Sequence, residues 1–146
     1  MNNSIYQISS SENFMSYRFT SDGSQGIVEK LIIFQATHIK HVFNLAFGDI
    51  NPKTGEIDDL IVTNNGDSEK VLITVATAVF EFTERYRNCL IYLKGSTSSR
   101  TRLYQMGISK YWQEISKDFV VLAEIQGDWV IFEANLKCEA FLVSRK

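Results

Sequence analysis

The run Lys94-Gly95-Ser96-Thr97-Ser98-Ser99-Arg100-Thr101-Arg102 places three cations among hydroxyl side chains and a glycine. Where such a run joins a buried strand to a helix, first-turn amides and the positive end of the helix dipole face the same way as the guanidinium forks. That combination holds a phosphate, because each group complements an oxyanion. The spacing is not GxxxxGK[ST], so this is no P-loop. The Gly95-Ser96 pair also calls to mind minimal nucleotidyltransferases, but no acid follows it within the next ten residues. Metal-assisted transfer needs an Asp-x-Asp pair there, so that chemistry is excluded. The candidate anion-binding residues are Lys94, Ser96, Thr97, Arg100 and Arg102. The plainer alternative is a Ser/Thr-rich helix cap whose arginines pair with surface acids.

Other chemistry-bearing residues lead nowhere comparable. Asp49, Glu56, Asp58, Asp59 and Asp67 could gather oxygens for a cation. Counted from Asp49, however, a calcium loop meets Lys53 at its fifth position and Leu60 at its twelfth; the pattern fails and a solvated acidic rim is expected. His38 and His41, three apart beside a strand, face opposite ways and lack a companion cysteine or acid for zinc. Neither Cys89 nor any serine sits in a nucleophile elbow. No catalytic residue, metal or cofactor is therefore expected, and the chain reads as a non-enzyme. Asn44 to Asp49 and Asn64 to Asp67 read as structural corners bonding their own backbone. Tyr92, Tyr104, Tyr111 and Trp112 offer stacking platforms, although their spacing suits apolar stripes and core.

The elements that must position these groups fit one domain. The chain has 146 residues, 45% hydrophobic and 22% charged, ordinary for a globular protein. No apolar run is long enough to span a bilayer and no leader precedes the first strand, so a cytoplasmic protein without membrane contact is expected. Two distant cysteines make no disulfide framework. The net charge of −2 hides a segregation: Arg85 to Lys117 holds seven bases and one acid, and Ala46 to Glu69 six acids and one base.

Residues 1–13 read as a loose arm or a poorly paired edge strand, and residues 14–146 as a single α+β domain. Alternation at Tyr17 and Phe19 predicts a strand ending in a turn over Ser21 to Ser24. Gly26–Ala36 and 41–47 read as strands, and Ile57, Leu60, Ile61 and Val62 as a short fourth. A helix follows from about Asp67 to Tyr86, with Val71, Leu72, Val75, Ala76, Val79, Phe80 and Thr83 as its core face. Leu90–Leu93 is a buried strand, and a second helix carries Tyr104, Ile108, Tyr111 and Ile115 inward. Strands at 119–125, 129–132 and 138–143 close the chain. The order β-β-β-β-α-β-α-β-β-β predicts a mostly antiparallel, curved sheet with two helices packed on it.

Assembled, these segments resemble a family of small uncharacterised bacterial proteins, chiefly from Bacteroidetes. The carriers are Asn44-Leu45-Ala46-Phe47-Gly48-Asp49, Thr63-Asn64-Asn65-Gly66-Asp67 with Glu69-Lys70-Val71-Leu72, and Lys94-Gly95-Ser96-Thr97 with Arg100-Thr101-Arg102-Leu103-Tyr104. The resemblance covers nearly the whole chain and implies a stand-alone cytoplasmic domain; no activity comes with it. Four strands followed by a helix also look like the unit of Whirly and related single-strand-binding cofactors, by element order alone. The leading expectation is a non-catalytic domain binding a polyanion, foremost single-stranded nucleic acid. The rivals are a protein-interaction module, a homo-oligomer or antitoxin-like partner in which basic strip meets acidic rim, and then an enzyme on a phosphorylated small molecule.

Overall fold

The computed structural model describes residues 5–58 and 65–146, with three helices and eight strands in an α+β fold. Ser9–Ser10 (β1), Ser16–Gly23 (β2), Gly26–Ala36 (β3) and Val42–Asp49 (β4) come first. Ser68–Arg85 (α1) and Leu90–Leu93 (β5) follow. Then come Ser98–Lys110 (α2), Trp112–Asp118 (α3), Phe119–Ile125 (β6), Asp128–Ile131 (β7) and Ala140–Arg145 (β8). The sheet order is β1-β2-β3-β4-β5-β8-β6-β7. β4 and β5 pair in parallel, with α1 in the connection between them, as a parallel pair requires. The pairings β1–β2, β2–β3, β5–β8, β6–β8 and β6–β7 are antiparallel.

The residues gather into two compact units. One, called here the α1 unit, holds the described residues up to Phe34 and those from Ala46 to Arg85. The other, the α2 unit, holds Gln35–Leu45 and Tyr86–Lys146.

In the α1 unit, β2 alternates as its sequence predicts and buries Tyr17, Phe19 and Ser21. The ladder runs on to the pair Gly23–Gly26, so the turn falls at Ser24-Gln25, later than expected, with Gly26 at a φ of +93° that only glycine adopts easily. Residues 5–13 are tied down at two points: β1 pairs with β2, and the Tyr6 ring stacks on Phe19 with centroids 5.6 Å apart. Of the expected fourth strand, Ile57 makes an isolated bridge to Ile50, while Leu60, Ile61 and Val62 lie outside the described residues. Helix α1 buries Val71, Ile73, Thr74, Val75, Ala78, Phe82 and Thr83. That face is rotated from the predicted one: Phe80 is 42% exposed, and Phe82 is stacked 4.1 Å from Phe34. The rotation is cheap because the newly buried Thr74 hydroxyl donates to the Lys70 carbonyl, one turn back.

In the α2 unit, Gln126-Gly127 closes the β6–β7 hairpin as the sequence predicts. The expected second helix is broken in two. Tyr111 leaves helical geometry at φ −107°, ψ 21°, its N–H turned back to Gly107 O, and α3 starts afresh. Gly107 and Ser109, weak helix formers, weaken the turn before the break. One face of β5, β8 and β6 buries Ile91, Leu93, Phe141, Val143, Val121 and Ala123. Across the other face run Tyr92, Leu142, Leu122 and Ile131, in register and only partly covered. His38 and His41 are exposed, His41 in a left-handed conformation at φ +66° rather than within a strand.

Candidate anion-binding site

Thr97 is the N-cap of α2, and its hydroxyl accepts a hydrogen bond from Arg100 N at 3.2 Å. Gly95 N donates to Thr101 Oγ1 at 3.0 Å, and Thr101 N to Thr97 O at 3.1 Å. A Cβ on Gly95 would sit 2.5 Å from Thr101 N and 2.8 Å from the Arg100 carbonyl carbon. The glycine is therefore needed for the loop to lie against its own helix, not for a ligand to approach. The amides of Ser98 and Ser99 are the first-turn donors left over. Lys94, Ser96, Thr97, Ser98, Ser99 and Arg102 are exposed around them. The first turn of α2 contains no acid, so its dipole is uncompensated from within the helix.

The two arginines have different tasks. Arg100 is half-buried, its guanidinium hydrogen-bonded to the hydroxyl of buried Tyr104 one turn on. Burial pushes that phenol up, and the Arg100 charge pulls it partly back. Arg102 points to solvent, and no carboxylate among the described residues lies within ion-pair distance of it or of Lys94. The rest of the basic strip disperses. Arg85 belongs to the α1 unit and lies 3.7 Å over the Phe14 ring, and Lys110, at the far end of α2, is 5.7 Å over Tyr111. The aromatics are not at the loop either. Tyr104 is buried, Trp112 packs on Phe132, and Tyr92 meets Trp129. The site is thus three cations, two amides and the exposed Ser96 hydroxyl.

The acids correct the sequence reading more sharply. Asp49, expected on a solvated rim, is buried at 6% exposure and bonds Lys30 Nζ, itself 4% exposed, at 2.5 Å. Asp67 accepts from Tyr6 Oη and from Ser21 Oγ, each at 2.5 Å. Asn65 does not bond its own turn; its side chain reaches Ser21 Oγ, Gly26 O and Gln25 N, and so fastens the entrance of α1 to the β2–β3 turn. Packing drives these corrections, since β2, β3 and the start of α1 bring the groups together from distant sequence. A signal for Lys30 existed: it interrupts the apolar run Ile27–Phe34, where a cation must bring its counter-charge with it. Among the described residues no cluster could hold a metal. A pocket of about 460 Å³ in the α1 unit has Arg18 and Glu29 in its lining, and not Arg100.

Asp67 yields an acid-stability prediction. Burial pushes its carboxyl up, but the Ser21 and Tyr6 hydrogen bonds outweigh that and hold it below the ordinary value of 3.8. A depressed native pKa adds stability that is present above the unfolded-state value and lost as pH falls through the native one. The urea midpoint of the native protein is expected to drop below about pH 4 more steeply than that of Asp67→Asn, which lacks this carboxylate. Parallel acid limbs would show that Asp67 is not the group responsible.

A family model described as a family of unknown function (DUF6934) matches residues 2–146, so the chain belongs to that family. No curated protein and no solved structure matches it.

Proposed function

With membership of a family of unknown function as the premise, we propose that this chain is a non-catalytic domain that binds a polyanion, single-stranded nucleic acid first among them, through the start of α2. Lys94, Arg100 and Arg102 supply charge, Ser96 a hydroxyl, and Thr97 fixes the helix start from which the Ser98 and Ser99 amides project. The observation that carries the reading is an uncompensated helix start flanked by two exposed cations, Lys94 and Arg102, with no carboxylate among the described residues in reach. With no aromatic at the loop, recognition rests on phosphates and little base preference is expected. A reducing cytoplasm suits Cys89 and Cys138, both free thiols. No described helix is long and apolar enough to cross a membrane. The rival docking of basic strip on acidic rim is weakened, because Asp49 and Asp67 are held internally.

The test uses labelled oligothymidylate and fluorescence anisotropy at low salt. Arg102→Ala and Lys94→Ala leave the Arg100–Tyr104 bond intact, and each is expected to weaken binding about fivefold, the equivalent of roughly 1 kcal/mol for an exposed charge pair at contact. Arg100→Ala is the poorer probe, since it strips a buried phenol of its partner. Unchanged affinity in the Lys94/Arg102 double variant, or no binding by the native protein, would refute the proposal.

A further inference from the structure

The edge of the α2 unit carries an unclaimed surface, independent of the anion-binding loop. β7 ends the sheet order, pairs with β6 on one side, and among the described residues has no strand on the other. All of its residues are exposed, Ile131 at 76% and Trp129 at 39%. Edge strands this apolar are usually blunted with charge, proline or cover, because their unpaired amides invite another strand. We propose that β7 accepts an extended peptide strand of a partner protein, apolar at alternate positions and carrying cationic side chains between them.

The hairpin register says which groups are offered. Ile125 and Asp128 close a two-residue turn and so exchange hydrogen bonds; Val130 with Ala123 does the same, and Phe132 N donates to Val121 O at 3.0 Å. By alternation the N–H and C=O of Trp129 and Ile131 point away from β6, toward an incoming strand. Their side chains stand on the partly covered sheet face, next to Leu122 and Glu124 in register. There the Trp129 ring meets Tyr92 edge-on, centroids 6.1 Å apart. An indole half open to solvent is a platform for a guanidinium or ammonium group.

Charge selects the occupant. Glu124 lies opposite Trp129, Asp128 begins the strand, Glu133 follows it, and Glu139 accepts from Gln126 N in the turn at 3.0 Å. After the effect of its burial, Glu124 and Glu139 both act to raise the Tyr92 phenol, which marks this face as negative. A second copy paired antiparallel about Val130 would set Asp128 and Glu133 of one chain near those of the other, an unfavourable like-charge juxtaposition. A basic strand meets opposite charge instead.

The experiment titrates the intact chain against labelled alternating valine–arginine and valine–glutamate hexapeptides. The arginine peptide is expected to bind and the glutamate peptide not. Ile131→Pro removes an outward donor without touching a β6–β7 hydrogen bond, so it is expected to weaken binding at least about fivefold with the melting temperature nearly unchanged. Trp129→Ala and Glu124→Gln are expected to weaken it too, which keeps the test decisive if the proline variant unfolds. Equal binding of both peptides, no binding of either, or affinity indifferent to all three substitutions would overturn the proposal. So would a native dimer in sedimentation that Ile131→Pro dissociates, since the edge would then belong to a second copy.

Discussion

Asp49→Ala is expected to cost about 3–5 kcal/mol of folding stability, the range seen when one member of a buried ion pair is removed. The cost comes less from the lost attraction than from what stays behind: an ammonium on Lys30, 4% exposed, at the centre of β3. Lys30 and Asp49 meet because β3 and the end of β4 run side by side there, and Ile50 N donates to Glu29 O at 2.9 Å just beyond. The double variant Lys30→Met with Asp49→Leu removes both charges and is expected to regain most of the loss, as apolar replacements of buried pairs do. Urea unfolding of the native chain, the single variant and the double variant reads this directly. A single variant within about 1 kcal/mol of native would show that the pair is more hydrated than its burial implies.

Phe82→Ala is expected to lose about 3–5 kcal/mol, the range for emptying a buried aromatic site. Its ring is fully buried and nearly parallel to Phe34, 5° between planes, so truncation leaves a cavity and removes a stacking contact together. Phe80→Ala, two residues earlier and exposed, is expected to change stability by no more than about 0.5 kcal/mol. The contrast reads the rotation of α1 by denaturation alone, because the apolar spacing of the sequence puts Phe80 inside and Phe82 out. A larger loss at Phe80 than at Phe82 would restore the sequence-based face, and equal losses would contradict the rotation.

Why that face misleads is physical. Val71, Val75 and Phe82 share a helix face with Thr74, and a hydropathy pattern passes over this threonine although its hydroxyl is satisfied within the helix. The class, the antiparallel hairpins and the order of most elements follow from alternation and turn residues, which act locally and are legible. The parallel β4–β5 pair and the choice of Asp49 as the partner of Lys30 depend on residues far along the chain, and no local pattern carries them. At the candidate site, the cap at Thr97 and the exposure of Lys94 and Arg102 are visible in the Ser/Thr-rich run. The diversion of Arg100 to Tyr104 is a neighbour effect one helical turn away. It divides what reads as a matched arginine pair into a positioned group and a solvent-facing one.

The most direct measurement of the central claim is the salt dependence of oligothymidylate affinity. If Lys94, Arg100 and Arg102 each neutralise one phosphate, log K should fall against log[salt] with a slope of about −2, at roughly −0.7 per contact on a single strand. In the Lys94→Ala/Arg102→Ala variant the slope should shrink to about −0.7. A native slope near zero, or one that the double substitution leaves unchanged, would contradict the account.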